Sequence, residues 1–220
     1  GVAGTDAARE AADIVLLDDS FASIVRGIEV GRAIFDNIKK FVTYVFTHNW
    51  AELFPFLAFI VGGIPLPLTV PQVLAIDLVI DVIPSVALSR EPPEPGVMDE
   101  PPRGKGERIF DRKVILRSFL TGLLASSLGL YNCISYWLSS GWRPGSPLDP
   151  SSSTYLTGVT MTFATIVLSQ MGNLVASRRR RGPILDASLL RDRWVLSSLA
   201  AQLLILLALV CSPALQPLFQ

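Results

Sequence analysis

The chain has 220 residues, half of them hydrophobic, and its 19 basic and 19 acidic side chains leave no net charge at neutral pH. That length would suit one or two soluble domains. However, the apolar residues are concentrated in long runs that a soluble core does not require. The composition therefore argues against an ordinary soluble protein and predicts a mainly α-helical membrane protein.

The first 39 residues resemble a small soluble segment that precedes the membrane. Thr5 is a candidate N-cap for a short helix. The apolar run 13–17, followed by the polar residues 18–20, predicts a buried parallel strand that ends in a turn. From Phe21 we predict a helix that has no stop signal and continues into the first membrane span near Lys39.

Five apolar segments are long enough to cross a membrane, because hydrocarbon about 30 Å thick requires roughly 20 residues of helix. Together they predict a helical transmembrane bundle over residues 40–220. Gly122, Ser126 and Gly129 place small residues on one side of the third span, which predicts close helix packing there. The predicted spans are about 40–62, 71–89, 114–138, 154–176 and 194–212.

Basic residues are distributed unevenly about these spans. If the chain crosses at all five, the Lys and Arg residues other than Arg143 lie on the side of the N-terminus. Cytoplasmic loops carry the positive excess, so we predict a cytoplasmic N-terminus in a multi-pass protein and expect the plasma membrane. The run 178–181, four arginines, could bind nucleic acid or anionic lipid. Beside a span, an orientation anchor is the interpretation we favour, and we predict no nucleic-acid partner.

Three carboxylates interrupt the first two spans, namely Glu52, Asp77 and Asp81. A carboxylate in hydrocarbon costs several kcal/mol, and no Lys or Arg lies in either apolar core. We therefore predict that the missing positive partner is a transported cation, with Asn49 on the same helical face as Glu52. The alternative is that the acids are protonated and inert within the helix packing.

Pro55 and Pro84 follow these acids in the sequence. A proline within a helix leaves the carbonyl four residues earlier without its donor. The carbonyls of Ala51 and Ile80 are therefore candidate oxygen ligands, in the manner of the broken helices that transporters use at mid-membrane.

His48 is the single histidine of the chain. One interpretation is a side chain that titrates near neutral pH and serves as a proton carrier or as a counter-charge to Glu52. The other is a neutral imidazole held by a hydroxyl or backbone partner. Asp77 and Asp81, if close, should not both ionise without a cation. Proton counter-transport is therefore a hypothesis.

Several motifs, in order along nearly the whole chain, resemble the type II P-type cation-transporting ATPases. The segment Gly4–Val25 is similar to the end of their phosphorylation domain, whose fold is like that of haloacid dehalogenases. Gly31–Phe41 resembles their stalk helix, and Ile64–Leu68 their outer loop. Glu91–Pro93 and Met98–Arg103 resemble their next cytoplasmic loop. The resemblance implies an α/β remnant of that domain at residues 1–39, followed by the fifth to ninth of ten spans.

The resemblance also implies cation ligands. Asn49 and Glu52 fall on ligands of the family's fifth span, and Asp77 and Asp81 on ligands of its sixth span. Gln170 falls where sodium/potassium pumps have Gln and calcium pumps have Glu.

Two positions depart from the family's pattern. Relatives often carry Thr in place of Ile80, and they carry Ser, or Lys in proton/potassium pumps, in place of His48. These departures bear on the identity of the ion.

Neither D-K-T-G-T nor T-G-D-G, the family's motifs for phosphorylation and magnesium binding, occurs in this sequence. We therefore expect ATP and Mg²⁺ to act only in a complete pump, whose N-terminal part would be the partner of this chain beside lipid and the inorganic cation. We expect this polypeptide alone neither to hydrolyse ATP nor to pump. The alternative is a standalone noncatalytic membrane protein, either a passive ion pathway or an accessory subunit.

Overall fold

A computed structural model of the chain describes residues 4–18, 20–104, 106, 108–178, 189 and 192–212. Within these residues the chain forms seven α-helices and one π-helical turn. In order they are α1 (Asp6–Glu10), α2 (Phe21–Gly62), α3 (Val70–Ala75), the π-turn (Ile76–Ile80), α4 (Val82–Ser89), α5 (Arg112–Ser139), α6 (Ser153–Ser177) and α7 (Arg193–Cys211).

The segment before α2 contains a capped helix but no strand. The Thr5 hydroxyl accepts a hydrogen bond from the amide of Ala8 at 3.3 Å, as the predicted N-cap requires. The predicted strand at 13–17 is wrong, because no strand forms in any part of the chain that the structure describes. Ile14 and Leu17 are 81% and 85% exposed. A parallel strand needs neighbouring strands for its N–H and C=O groups, and an α/β remnant is not shown.

The helix predicted from Phe21 into the first span is confirmed as a single helix, α2, of 42 residues. It continues through Pro55 without a break, so a broken helix at that point is not found. Transmembrane helices tolerate proline where neighbouring groups satisfy the freed carbonyl. Gly63 follows the helix with φ of 60°, the left-handed conformation that ends helices and favours glycine.

In the part of the chain that the structure describes, four stretches are long and apolar enough to cross a membrane, namely Val70–Ser89, Arg112–Ser139, Ser153–Ser177 and Arg193–Cys211. They match the second to fifth predicted spans. The 40–62 segment lies in α2 but is not among the four, because polar residues such as Asn49 and Glu52 lower its hydropathy. Its membrane crossing stays a prediction.

The second span is interrupted where its acids lie. The π-turn joins α3 to α4, and the amide of Asp81 donates to the carbonyl of Ile76 at 2.9 Å, five residues earlier. Pro84 lies in the first turn of α4, where the amide of a helical residue has no intrahelical partner to lose. The wider π-turn, frequent at functional sites, therefore separates the two halves of this span.

Gly122 allows α5 to approach α2 closely, as the small residues of the third span predicted. A Cβ built on Gly122 would lie 2.6 Å from the carbonyl oxygen of Thr47 on α2, whereas one built on Gly129 would make an ordinary contact of 3.4 Å with Cγ2 of Thr162 on α6. The main buried apolar cluster joins α2, α3, the π-turn, α5, α6 and α7, and a loop residue before α3. It contains Ala51, Leu68, Ala75, Ile76, Ile80, Ala125, Phe163, Ile166, Val167, Leu206 and Leu209.

The loop after α4 is attached to α2. Arg32 donates to the carbonyls of Val97 and Glu100 at 2.8 and 2.7 Å, and the amide of Asn37 donates to the carbonyl of Glu91 at 2.7 Å. The guanidinium of Arg103 lies 3.7 Å from the centre of the Phe35 ring. These contacts fix the loop to α2.

One end of the bundle, which we call the basic end, is rich in cationic side chains. It comprises Lys39 and Lys40 of α2, Lys113 and Arg117 at the start of α5, and Arg178 after α6. Of the four-arginine run, only Arg178 is among the described residues. It forms ion pairs with Glu91 at 2.8 Å and Asp192 at 3.6 Å. Burial raises the pKa of Glu91, an effect that Arg178 partly offsets.

Candidate cation-binding site

His48 lies between the two acids of the interrupted span. Its Nε2 is 3.1 Å from Oδ1 of Asp77, and its Nδ1 contacts Oδ2 of Asp81. Asp77 lies within the π-turn and Asp81 directly after it, so that both carboxylates reach one imidazole of α2. The site is thus built from the middle of α2 and from the break in the helix beside it.

This arrangement constrains where protons are bound. A neutral imidazole has one N–H donor, whereas an imidazolium has two. If both Asp77 and Asp81 are ionised, His48 must be an imidazolium in order to donate to both of them. If His48 is neutral, one of the two acids must carry a proton. In either state these three side chains together hold one proton more than a neutral imidazole and two carboxylates would.

Glu52 lies one helical turn beyond His48 on α2. One ligand atom from each of His48, Glu52 and Asp77 lies within 4.8 Å of the other two. Glu52 is 6% exposed, and its Oε1 has no hydrogen-bond partner in the described part of the chain. A buried carboxylate oxygen without a donor is unfavourable, and either a bound cation or a proton on Glu52 would satisfy it.

Tyr44 and Gln202 form a chain of hydrogen bonds that ends on the carboxylate of Asp81. The Tyr44 hydroxyl donates to Oδ1 of Asp81 at 2.9 Å, and Nε2 of Gln202 donates to that hydroxyl at 3.3 Å. Both side chains are fully buried. Neither residue was predicted from the sequence, since Tyr44 lies in the apolar pattern of the first span. The signal for Gln202 was a lone amide in a leucine-rich helix.

The two amide residues predicted as ligands have different positions. Asn49 is exposed, and with His48, Asp77 and Asp81 it lines a cavity of about 570 Å³. Gln170 is fully buried on α6, where its Oε1 accepts from Asn173 at 3.1 Å. No hydrogen bond joins Gln170 to the three acids among the residues that the structure describes. The structure therefore groups His48, Glu52, Asp77 and Asp81, adds Asn49 at the cavity, and leaves Gln170 outside this cluster.

These features define a class of protein. A chain with several helices long and apolar enough to cross a membrane, and with three acids around one imidazole where α2 meets one of those helices, is typical of proteins that handle cations within the bilayer.

Comparison with known proteins gives the family. The model for the C-terminus of cation transporting ATPases matches residues 65–220, which is more than half of the chain. The chain belongs to the family of P-type cation-transporting ATPases and corresponds to their C-terminal transmembrane part.

Individual relatives agree with this assignment. The potassium-transporting ATPase alpha chain 2 of Rattus norvegicus is 38% identical over 95% of this chain and 23% of its own length. The sodium/potassium-transporting ATPase subunit alpha of Hydra vulgaris is 37% identical over 82% of this chain and 20% of its own length. The potassium-transporting ATPase alpha chain 1 of Xenopus laevis is 42% identical over 66% of this chain and 14% of its own length. The chain thus spans about a fifth of the length of the first two relatives, and less of the third.

Proposed function

We propose that this chain forms the cation-binding, membrane-spanning C-terminal part of an ATP-driven pump, and that Glu52, Asp77 and Asp81 bind the transported cation. The observation that carries the proposal is the convergence of acids from α2 and from the π-turn region on one imidazole. No Lys or Arg lies in either apolar core to neutralise them. An inorganic cation is the simplest partner for such a set of oxygens.

His48 acts as an internal counter-charge in this proposal. Without the cation, the imidazolium donates to Asp77 and Asp81 and offsets their charge. When the cation arrives among the acids, it takes over that neutralisation, and His48 releases its proton to water in the adjoining cavity. Departure of the cation reverses the step, which couples cation movement to proton movement in the opposite direction.

The remaining parts of the pump lie outside this chain. Hydrolysis of ATP with Mg²⁺ would be supplied by the other regions that the relatives contain, and α2 would connect them to the site. The chain would lie in the plasma membrane, with its N-terminus and the basic end in the cytoplasm, in agreement with the charge asymmetry. Asn49 and Gln170 would add amide oxygens to the ligand set.

The binding site can be tested on the purified chain in detergent micelles. Thermal unfolding would be followed in sodium, potassium or calcium chloride, with choline chloride holding the ionic strength constant. A cation at 100 times its dissociation constant should stabilise the folded chain by about 2.7 kcal/mol. Glu52→Gln and Asp81→Asn should each abolish that stabilisation. Asp149→Asn, which removes an acid from an exposed loop, is the matched control and should keep it.

The outcomes separate the proposal from its alternative. Equal stability in all four salts, or equal loss of the cation effect in Asp149→Asn, would contradict a specific site at Glu52 and Asp81. The role of His48 is tested by His48→Gln, which should abolish the proton release that accompanies cation binding, measured with a pH-indicator dye in weakly buffered micelles. Cation-dependent ATP hydrolysis by the complete pump then tests whether the site serves transport.

A further inference from the structure

A second polar cavity, of about 170 Å³, lies at the basic end between α2, the beginning of α5 and the end of α6. Four cationic residues and a single acid contribute to its wall, together with two hydroxyl residues and one apolar residue. The lining residues are Lys39, Lys40, Thr43, Asp111, Lys113, Val114, Arg117 and Ser177. It shares no residue with the cation site.

The acid of the cavity is already engaged. Asp111 caps α5, because its Oδ1 accepts from the amide of Val114 at 2.8 Å, and its Oδ2 accepts from Nζ of Lys39 at 3.2 Å. These hydrogen bonds, the backbone one first, hold the pKa of Asp111 below its ordinary value. Asp111 is therefore ionised at neutral pH, and its charge is matched by that of Lys39. In the same way Lys40 pairs with Glu94 at 2.7 Å.

Two cations of the wall have no acidic partner among the residues that the structure describes. Arg117 donates through Nη2 to the carbonyl of Ala176 at 2.7 Å, an interaction that orients the guanidinium but leaves its charge uncompensated. Lys113 forms no ion pair within the described residues. Lys39 and Lys40, at 4% and 2% exposure, form a buried floor beneath them, and the first turn of α5 adds the partial positive charge of a helix N-terminus.

The surface of α5 changes character at this cavity. Arg112 and Lys113 are polar and exposed, whereas Ile115, Leu116 and Leu120 are apolar and exposed by 47%, 58% and 53%. In a membrane-crossing helix this change marks the boundary between headgroups and hydrocarbon. The uncompensated charges of Lys113 and Arg117 therefore lie at the depth of lipid phosphates.

We propose that this cavity binds the phosphate group of an anionic phospholipid, with Lys113 and Arg117 as the recognising side chains. A guanidinium suits a phosphate because its planar N–H groups match two oxygens at once, and Lys113, four residues earlier on the same face of α5, adds a compact charge. The apolar face of α5 beyond Leu116 accommodates the acyl chains. The lipid thus bridges the ends of α2, α5 and α6 at the basic end.

The test uses the purified chain in a neutral detergent with short-chain phosphatidylserine, short-chain phosphatidylcholine or inorganic phosphate. Binding is measured from the shift in the thermal unfolding midpoint as each probe is titrated. Phosphatidylserine should stabilise the chain, and Lys113→Gln and Arg117→Gln should each weaken its binding about fivefold. Arg143→Gln removes the same charge at an exposed loop position away from the basic end and should leave binding unchanged.

Each other outcome overturns the proposal. Equal stabilisation by phosphatidylcholine would show that binding does not require a negatively charged lipid. Equal weakening of phosphatidylserine binding in Arg143→Gln would indicate a general effect of net charge. Stabilisation by inorganic phosphate without phosphatidylserine would assign the cavity to a free anion. Because Arg117→Gln also loses the bond to Ala176, Arg117→Lys serves as a second variant and should retain most of the lipid affinity. Lys113 is exposed, so its replacement should not affect folding.

Discussion

The close approach of α5 to α2 leads to a quantitative prediction for Gly122→Ala. A Cβ at this position would lie 2.5 Å from Cβ of Trp50 and 2.6 Å from the carbonyl oxygen of Thr47. Ordinary contact begins near 3.4 Å, so the two helices must separate by about 0.9 Å at this level. A backbone carbonyl cannot rotate away as a side chain can, and the separation must come from moving a helix.

The energetic cost follows from two opposed effects. Replacing glycine by alanine within a helix gains up to about 1 kcal/mol in helix propensity, while overpacking a filled interface costs about 1–3 kcal/mol. We expect a net destabilisation of about 1–2 kcal/mol. The displaced stretch of α2 includes His48, so cation binding should weaken as well.

Gly129→Ala is the matched control, since its Cβ would meet only ordinary contacts from 3.4 Å upward. Reversible unfolding of both variants in mixed micelles, followed by circular dichroism, gives the comparison. Gly129→Ala should be neutral or slightly stabilising. If Gly122→Ala proves as stable as Gly129→Ala, the packing of α5 against α2 described above is incorrect.

Three further variants test other parts of the structure. Tyr44→Phe should destabilise the chain by about 1.5–3 kcal/mol, because Asp81 loses a buried donor; chemical denaturation measures this, and an unchanged midpoint would show that the hydroxyl does not support the acid. Asp111→Ala should cost about 1 kcal/mol as the loss of an N-cap. Because the folded-state pKa of Asp111 is lowered, the part of this contribution that depends on the charge is present above about pH 4 and is lost as the pH falls through the folded-state pKa. The destabilisation by Asp111→Ala should therefore be smaller at pH 3 than at pH 7, and equal losses would refute it. Trp137→Phe removes the hydrogen bond from Nε1 to the carbonyl of Thr154 at 3.1 Å and should lower the free energy of unfolding by about 1 kcal/mol. Unfolding followed by fluorescence measures this loss, and an unchanged stability would contradict the prediction.

The acids of the candidate site could be predicted from the sequence, because the free-energy cost of a carboxylate in hydrocarbon depends only on the residue type and on the apolar residues around it in the chain. Glu52, Asp77 and Asp81 stand out in any apolar segment, and helical spacing relates each to its neighbours along the chain. The placement of both nitrogens of His48 against carboxylates could not be predicted in this way. It depends on how α2 rotates against the π-turn, which is decided by packing between helices.

The errors have a similar origin. The pattern at 13–17 has the composition of a buried strand, yet a strand exists only where other strands complete its hydrogen bonds. Tyr44 and Gln202 are 158 residues apart in sequence, so no local pattern relates them. Pro55 was expected in a broken helix, but α2 continues through it, which a membrane-spanning helix tolerates where other groups satisfy the freed carbonyl.

The attachment of the loop to α2 has a geometrical consequence. From Phe21 to Glu52 the helix is about 46 Å long at 1.5 Å per residue, so a swing of about 5° pivoting at Glu52 would displace Phe21 by about 4 Å. Arg32 and Asn37 lie between Phe21 and Glu52 on α2. They would pull the loop after α4, and with it the end of α4, through a shorter distance than Phe21 moves. His48 and Asp81 would then travel by unequal amounts, and a small angular change at the beginning of α2 would open or close the gap between imidazole and carboxylate.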